Sequence, residues 1–167
     1  MVKENDAKPG GVSGSASADK VAHLSAEQMW AADAASRMLG MQLLSVAPGA
    51  STLSMRVRAD MINGWGLCHG GLISALADSA FAVACNTHGT ITVGAGFDVT
   101  FLESARLDDQ LVATARETAV RGRSGLYDVT VTRLVTTRRS WSSAGVAAAS
   151  GAQIRLSVRH ARGTPAI

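Results

Sequence analysis

A lone carboxylate stands where the sequence can least easily keep one. Residues 71–86 are apolar and Ala-rich, without Pro or interior Gly, and read as a buried helix, yet Asp78 lies in their midst between Ala77 and Ser79. A carboxylate there is costly unless it is paired or useful. The residues alone leave both readings open: an Asp bonded to a neighbouring backbone group, or one kept for chemistry. Helical spacing sets Leu72, Ile73, Leu76, Ala80, Phe81 and Ala84 on one face, which should pack on a sheet. It sets Gly71, Ser74, Ala75, Asp78, Ala82 and Cys85 on the other. That second face is small throughout and lets another surface approach closely.

Just before this helix comes Asn63-Gly64-Trp65-Gly66-Leu67-Cys68-His69-Gly70-Gly71. The glycine pair falls where a loop enters the helix. Free N–H groups at that point face a ligand with the positive end of the helix dipole behind them. They suit a carbonyl oxygen that becomes an oxyanion. A Gly-Gly pair at a helix start is equally a turn or a packing site. Cys68, His69, Cys85 and His88 do not have the spacing of paired zinc-ligand knuckles. Cys68 as a nucleophile beside His69 fails because adjacent side chains point apart. His69 alone also reads as a structural histidine.

Several elements must position these groups. Residues 1–23 are rich in Gly, Ser, Ala, Asp and Lys and read as a flexible leader. A helix is expected from Ser25, with Ser25 and Gln28 as a capping box, Met29, Trp30, Ala34 and Met38 as the apolar stripe, and Gly40 at its end. A strand near 41–46 runs into the Pro48-Gly49 turn. Leu53, Met55 and Val57 alternate with polar residues and mark a half-buried strand. An irregular loop over 60–70 and the helix come next. Strands then follow over Ile91 to Leu102, alternating from Val93 to Phe101, over Gln110 to Thr118, and over Tyr127 to Thr132. Strands segregated from one buried helix predict an α+β fold with an antiparallel sheet wrapped around that helix.

Met61-Ile62-Asn63-Gly64, Cys68-His69-Gly70-Gly71, Leu76 through Ala82 and Ala84-Cys85-Asn86 together resemble the signature of the PaaI-type hotdog thioesterases. Ile91 to Leu102 and Gly125-Leu126-Tyr127-Asp128-Val129 continue the match, which covers roughly residues 24–132. The resemblance implies a hotdog domain that hydrolyses acyl-CoA thioesters, with aryl-acyl substrates such as phenylacetyl-CoA or hydroxyphenylacetyl-CoA. It implies a homodimer or dimer of dimers (a homotetramer), and no cofactor or metal. It makes Asp78 the catalytic carboxylate, as general base or nucleophile, facing the glycine loop of a partner chain. Gly70 offers its N–H to the thioester carbonyl, while Asn63 and His69 support the loop and the water or acyl group. Gly71 and Trp65 are expected near the substrate, although a loop tryptophan packed on the core fits Trp65 as well. Arg121, Arg123 and Ser124 either meet the CoA phosphates or form a solvated hairpin turn. The competing functions are a non-catalytic acyl-CoA-binding module acting as a sensor or regulator, and a hotdog hydratase. The Asp78 carboxylate favours the enzyme over the sensor, and a hydratase wants a different Asp/His arrangement.

Residues 133–167 depart from that family. They are rich in Ala, Ser and Arg and hold no acid. Taking the last base of each codon with the first two of the next, from Leu134 to Ala148, permitted codon choices spell G-D-D-E-E-V-V-E-F-R-G-R-S-R. That ending is of the family's kind and points to a one-base frameshift near residue 133. Ala152 to Val158 alternates and is expected either as a substitute edge strand or as unstructured chain.

The 167 residues are 47% hydrophobic, one domain's worth. The net charge of +3 is uneven: residues 1–132 carry ten basic and all 13 acidic residues, a net charge of −3. The basic pI therefore belongs to the tail, and no aromatic-interleaved basic patch marks a nucleic-acid partner. No apolar run would span a bilayer. The start shows no signal-peptide pattern, so a cytoplasmic protein is expected.

Overall fold

The computed structural model describes residues 12–134 and 154–162. Its helices are α1 (Val12–Ala32), α2 (Ala34–Met38) and α3 (Gly70–Asn86). Its strands are β1 (Gln42–Ala47), β2 (Ala50–Arg56), β3 (Thr92–Phe101), β4 (Gln110–Arg121), β5 (Ser124–Leu134) and β6 (Ile154–Arg162). The strands form one antiparallel sheet in the order β1-β2-β4-β5-β6-β3, wrapped on α3 as a hotdog fold.

Period-two alternation builds the core. Leu53 and Met55 of β2, Leu111, Ala113 and Ala115 of β4, and Tyr127, Val129 and Val131 of β5 are all buried. Register aligns them in rows, with Leu53 opposite Ala113 and Ala113 opposite Val131. Against these rows α3 buries Ile73, Leu76, Ala80, Phe81 and Ala84 of the expected face, with Leu72 only half-buried and Ala77, Val83 and Cys85 buried besides. Phe81 meets Tyr127 edge-on, with ring centroids 5.3 Å apart, the geometry the ring quadrupoles favour.

Three expectations need correction. The first helix begins at Val12, so residues 12–23 are helical rather than a flexible leader, and Ser25 lies inside α1 instead of capping it. The apolar stripe differs from the expected one: Ala22 and Ala26 are buried, one helical turn apart, and Met29 and Trp30 half-buried, whereas Ala34 and Met38 fall in the separate α2 and are exposed. Alternation along β3 is broken by a bulge between Gly94 and Gly96, which moves Val93 to the face opposite Phe97, Val99 and Phe101. Finally, β6 is no edge strand. It lies between β5 and β3 and pairs with both. The edge belongs to β3. The residues from 135 to 148 on which the frameshift reading rests, and the first two of the expected 152–158 strand, lie outside the described residues.

Candidate active site

The loop before α3 is held by one side chain. Asn63 donates its N–H to the Leu67 carbonyl at 2.7 Å. Its Oδ1 accepts from the N–H groups of Trp65 (2.9 Å) and Leu67 (3.2 Å). Gly66 takes φ +75° to close the turn. The Cys68 N–H then bonds the Ala105 carbonyl, and the His69 N–H bonds that of Met61. His69 caps α3, its Nδ1 accepting from the Gly71 N–H at 3.2 Å, so Nδ1 is the unprotonated nitrogen.

These bonds separate the two glycines. The N–H of Gly71 is taken by His69, whereas that of Gly70 has no acceptor among the described residues. Gly70 lines a cleft of about 290 Å³ with Asn63, Leu67, Cys68, Ile73 and Phe101. Phe101 lies so close that a Cβ at Gly70 would meet its Cζ at 3.0 Å. The cleft therefore presents the Gly70 N–H and the Asn63 amide group, whose oxygen is already engaged.

Asp78 lies two turns further along α3, about 12 Å from Gly70 at 1.5 Å per residue. It lines a different cleft, of about 590 Å³, between α1, α3 and the start of β3. The walls are Ser25, Gln28, Met29 and Ala32 on one side, Phe81, Ala82 and Asn86 beside Asp78, and Thr92 to Gly94 beyond. No hydrogen bond or ion pair is made by its carboxylate among the described residues. The reading of Asp78 as bonded to nearby backbone is thereby overturned. Although Asp78 is exposed in the single chain, the partial desolvation of its cleft raises its carboxyl from the ordinary carboxylate value.

The small face of α3 is open at Gly71, Ser74, Ala75, Asp78 and Ala82, but Cys85 is buried, contrary to its expected place there. Cys85 is covered because Asn86 ties the last turn of α3 to β3: its Nδ2 donates to the carbonyls of Ala82 and Thr92, and its Oδ1 accepts the Thr92 N–H. Burial pushes the Cys85 thiol up to about 12 and also raises that of Cys68, with the Asp109 charge adding to it. His88 bonds Glu117 at 2.7 Å. The Cys/His group is thus dispersed over separate surroundings, and no metal-holding cluster occurs among the described residues.

Other expected site residues fall apart in the single chain. His69 and Gly71 line a third cleft with Asp60, Met61, Ile62 and Leu72. Trp65 is 88% exposed and packs on no core. Arg121, Arg123 and Ser124 form the exposed β4–β5 turn around Gly122. Register places Ser124 opposite Ala161 and Ala161 opposite Val93, two strand spacings (about 10 Å) from the Asp78 cleft. Sequence reasoning missed the chain Asp33, Ser36, Ser79 beside Asp78. Its one sequence signal is Asp33-x-x-Ser36, a helix N-cap pattern.

Comparison with known proteins bears on this arrangement. A family model described as the thioesterase superfamily matches residues 66–138. The acyl-coenzyme A thioesterase PaaI of Escherichia coli K12 is 37% identical over 106 residues, 64% of this chain and 76% of that protein. The human acyl-coenzyme A thioesterase 13 is 35% identical over 82 residues, 47% of this chain and 59% of that protein. The solved structure of the E. coli PaaI protein from the phenylacetic acid degradation operon superposes with a TM-score of 0.76 at 28% identity, covering 89% of this chain and 98% of that one.

Proposed function

The chain belongs to the thioesterase superfamily and is an acyl-CoA thioesterase of the PaaI kind, and from this we propose that it hydrolyses aryl-acyl thioesters, phenylacetyl-CoA or hydroxyphenylacetyl-CoA, to free acid and CoA. The observation that carries the catalytic reading is Asp78: a carboxylate without a partner among the described residues, in a largely apolar cleft, with its proton affinity raised. Such a group either takes a proton from water attacking the carbonyl carbon, or attacks that carbon itself to give an acyl anhydride that water then opens to the free acid and the restored carboxylate. The Gly70 N–H stabilises the oxygen as it gains charge. The C–S bond then breaks, CoA leaves as a thiolate, and no metal is called for. Asn63 orders the loop and turns its amide toward the same oxygen, and His69 holds the helix start. The phenylacetic acid operon of the E. coli relative and the Met29, Phe81 and Ile91 lining favour an aryl group.

The site on this reading is shared between two subunits. Asp78 and Gly70 open into separate clefts of one chain. The β3 edge is unpaired by any described strand, and apolar Phe97 and Phe101 stand about half exposed beside it. A second copy laid along β3 would bring its glycine loop to Asp78. Arg121, Arg123 and Ser124 would meet the CoA phosphates. The resemblance to the family spans residues 24–132, and the atypical segment 133–167 contributes β6 to the same sheet. The two unbridged cysteines fit a reducing cytoplasmic setting.

A panel of aliphatic and aryl-acyl CoA substrates, read by thiol release, tests the substrate class; faster turnover of acetyl-CoA than of every aryl member would overturn it. Mixing Asp78→Asn chains with Gly70→Pro chains tests the shared site. Some mixed dimers regain one intact site, so activity should partly return. No recovery despite demonstrated subunit exchange would mean that each chain builds its own site.

A further inference from the structure

The wall that faces Asp78 is held in place by a polar chain that ends one residue away from it. Ser25, Gln28, Met29 and Ala32 line the cleft from α1, spaced as one helical stripe. The stripe ends at Asp33, whose carboxylate caps α2: Oδ1 accepts the Ser36 N–H at 2.9 Å and Oδ2 accepts the Ser36 hydroxyl at 2.7 Å. The Ser36 Oγ lies 2.9 Å from the Ser79 Oγ on α3. Since the one hydroxyl proton of Ser36 goes to Asp33, Ser79 must be the donor in that pair. Ser36 is 1% exposed, so the chain is closed to water where it crosses. Arg37 fixes the same junction from outside, donating from Nη1 to the carbonyls of Trp30 (3.3 Å) and Ala31 (2.8 Å) at the end of α1. Behind the stripe, among the described side chains of α1, those buried completely are the small ones of Ala22 and Ala26, a thin apolar contact for a helix of 21 residues.

We propose that Asp33, Ser36 and Ser79 are positioning residues that set the distance between α1 and the Asp78 segment of α3, and with it the size of acyl group the cleft accepts. The chain touches neither Asp78 nor the substrate. It acts by holding Met29 and Gln28 opposite Phe81 and Ala82. Losing the Ser36 hydroxyl leaves the Ser79 proton and the Asp33 Oδ2 without their partner, and losing the Ser79 hydroxyl removes the bond between α2 and α3 while Ser36 stays bound to Asp33; either loss frees the wall to move. A small acyl group barely feels that wall, whereas a large one depends on it. The proposal rests on the reading of Asp78 as the catalytic carboxylate.

The test measures kcat and KM of full-length Ser79→Ala, Ser36→Ala, their double variant and Asp33→Asn. Each is assayed with acetyl-CoA and with the largest acyl-CoA that the wild type hydrolyses, and the melting temperature is taken alongside. The large-to-small ratio of kcat/KM should fall about tenfold in each serine variant, a difference of the size that pocket contacts command, mainly through KM for the large substrate. The double variant should be no worse than the worse single one. Asp33→Asn keeps an acceptor for the Ser36 N–H but loses the second carboxylate oxygen, and should move the ratio the same way by less. A lowered melting temperature with an unmoved ratio would make the chain merely structural and overturn the proposal. Ser79 is only partly buried, so Ser79→Ala keeps the test alive if Ser36→Ala fails to fold. Failure of the Asp78 reading looks different: Asp78→Asn would then retain turnover on both substrates.

Discussion

Strands β5 and β3 belong to one sheet and are nearly equal in length, yet their surroundings differ at almost every position. Tyr127, Val129 and Val131 of β5 are buried at alternate places beneath α3, and β5 pairs with β4 on one side and β6 on the other. In β3 Thr92 is buried and Val99 half-buried while the rest is exposed, and β6 is its one described partner. The half of the sheet built by β2, β4 and β5 closes its own core. The β3 half does not, and its start forms part of the cleft that holds Asp78. The packed core and the candidate site thus belong to different halves, and the half with the candidate site is the one that a single chain leaves open.

The largest break of this comparison is Asp78→Asn, which should lower kcat by about 10³-fold, within the range for loss of a general base, and leave the packed half untouched. Because burial raises its pKa, Asp78 takes up a proton at a higher pH than an ordinary carboxylate. The acid limb of the wild-type rate profile should lie above the usual carboxylate range. The same shift acts on stability with a definite sign. The folded state holds the proton more tightly than the unfolded one, so ionising Asp78 costs stability as pH rises from the ordinary carboxylate range through the raised value. Asp78→Asn should therefore melt no lower, and at neutral pH somewhat higher, than the wild type. Wild-type turnover in Asp78→Asn would end the catalytic assignment.

Phe97→Glu attacks the open half directly. Phe97 is 50% exposed beside the β3 edge, and a two-fold pairing there would set two such charges near each other, at a cost of several kcal/mol. Sedimentation should then show monomers, and turnover should fall with the dimer. An unchanged oligomer would place the interface elsewhere.

A third change concerns the segment that delivers β6. Sequencing the gene across codon 133 should show an alternative frame close to E-F-R-G-R-S, and the chain restored to that frame should have a higher melting temperature and a higher thioesterase rate. A different reading of those codons ends the frameshift account. The smallest effect belongs to the packed half. Tyr127 donates its hydroxyl proton to Glu117 from a fully buried position. Tyr127→Phe should cost about 1.5–3 kcal/mol, as for a hydrogen bond to a charged group, lower the melting temperature, and leave KM and kcat near wild type.

Local patterns made some of this legible. The buried face of α3, the alternation of Leu53 with Met55 and of Tyr127 with Val129, and the glycine at the end of the first helical region all follow from spacing within a few residues. The candidate site was legible as residue types: Asp78, Asn63, His69 and Gly70 stand out in the sequence, whereas the structure separates the two glycines, with the Gly71 N–H taken by His69. What escaped were relations across long separations. The link from Ser36 to Ser79 spans 43 positions and leaves no periodic trace. The exposure of β3 is hidden because an alternating strand looks the same whether or not its neighbour is in place. The bulge at Gly94 and Gly96 shifts the phase without altering composition. The interior place of β6 is a matter of topology, and α1 was masked by a start rich in Gly and Ser.

That place of β6 has a consequence for the time course of synthesis. β3 is made well before β6, yet β6 is its described route into the sheet. At about 5–20 residues per second, β1, β2, β4 and β5 can pair on α3 while β3 waits, its backbone unpaired and Phe97 and Phe101 uncovered. Pairing between segments so distant in sequence is slow, and the waiting strand is what neighbouring nascent chains can capture. The yield of folded protein should therefore depend on how quickly the final strand emerges, more than on how stable the finished sheet becomes.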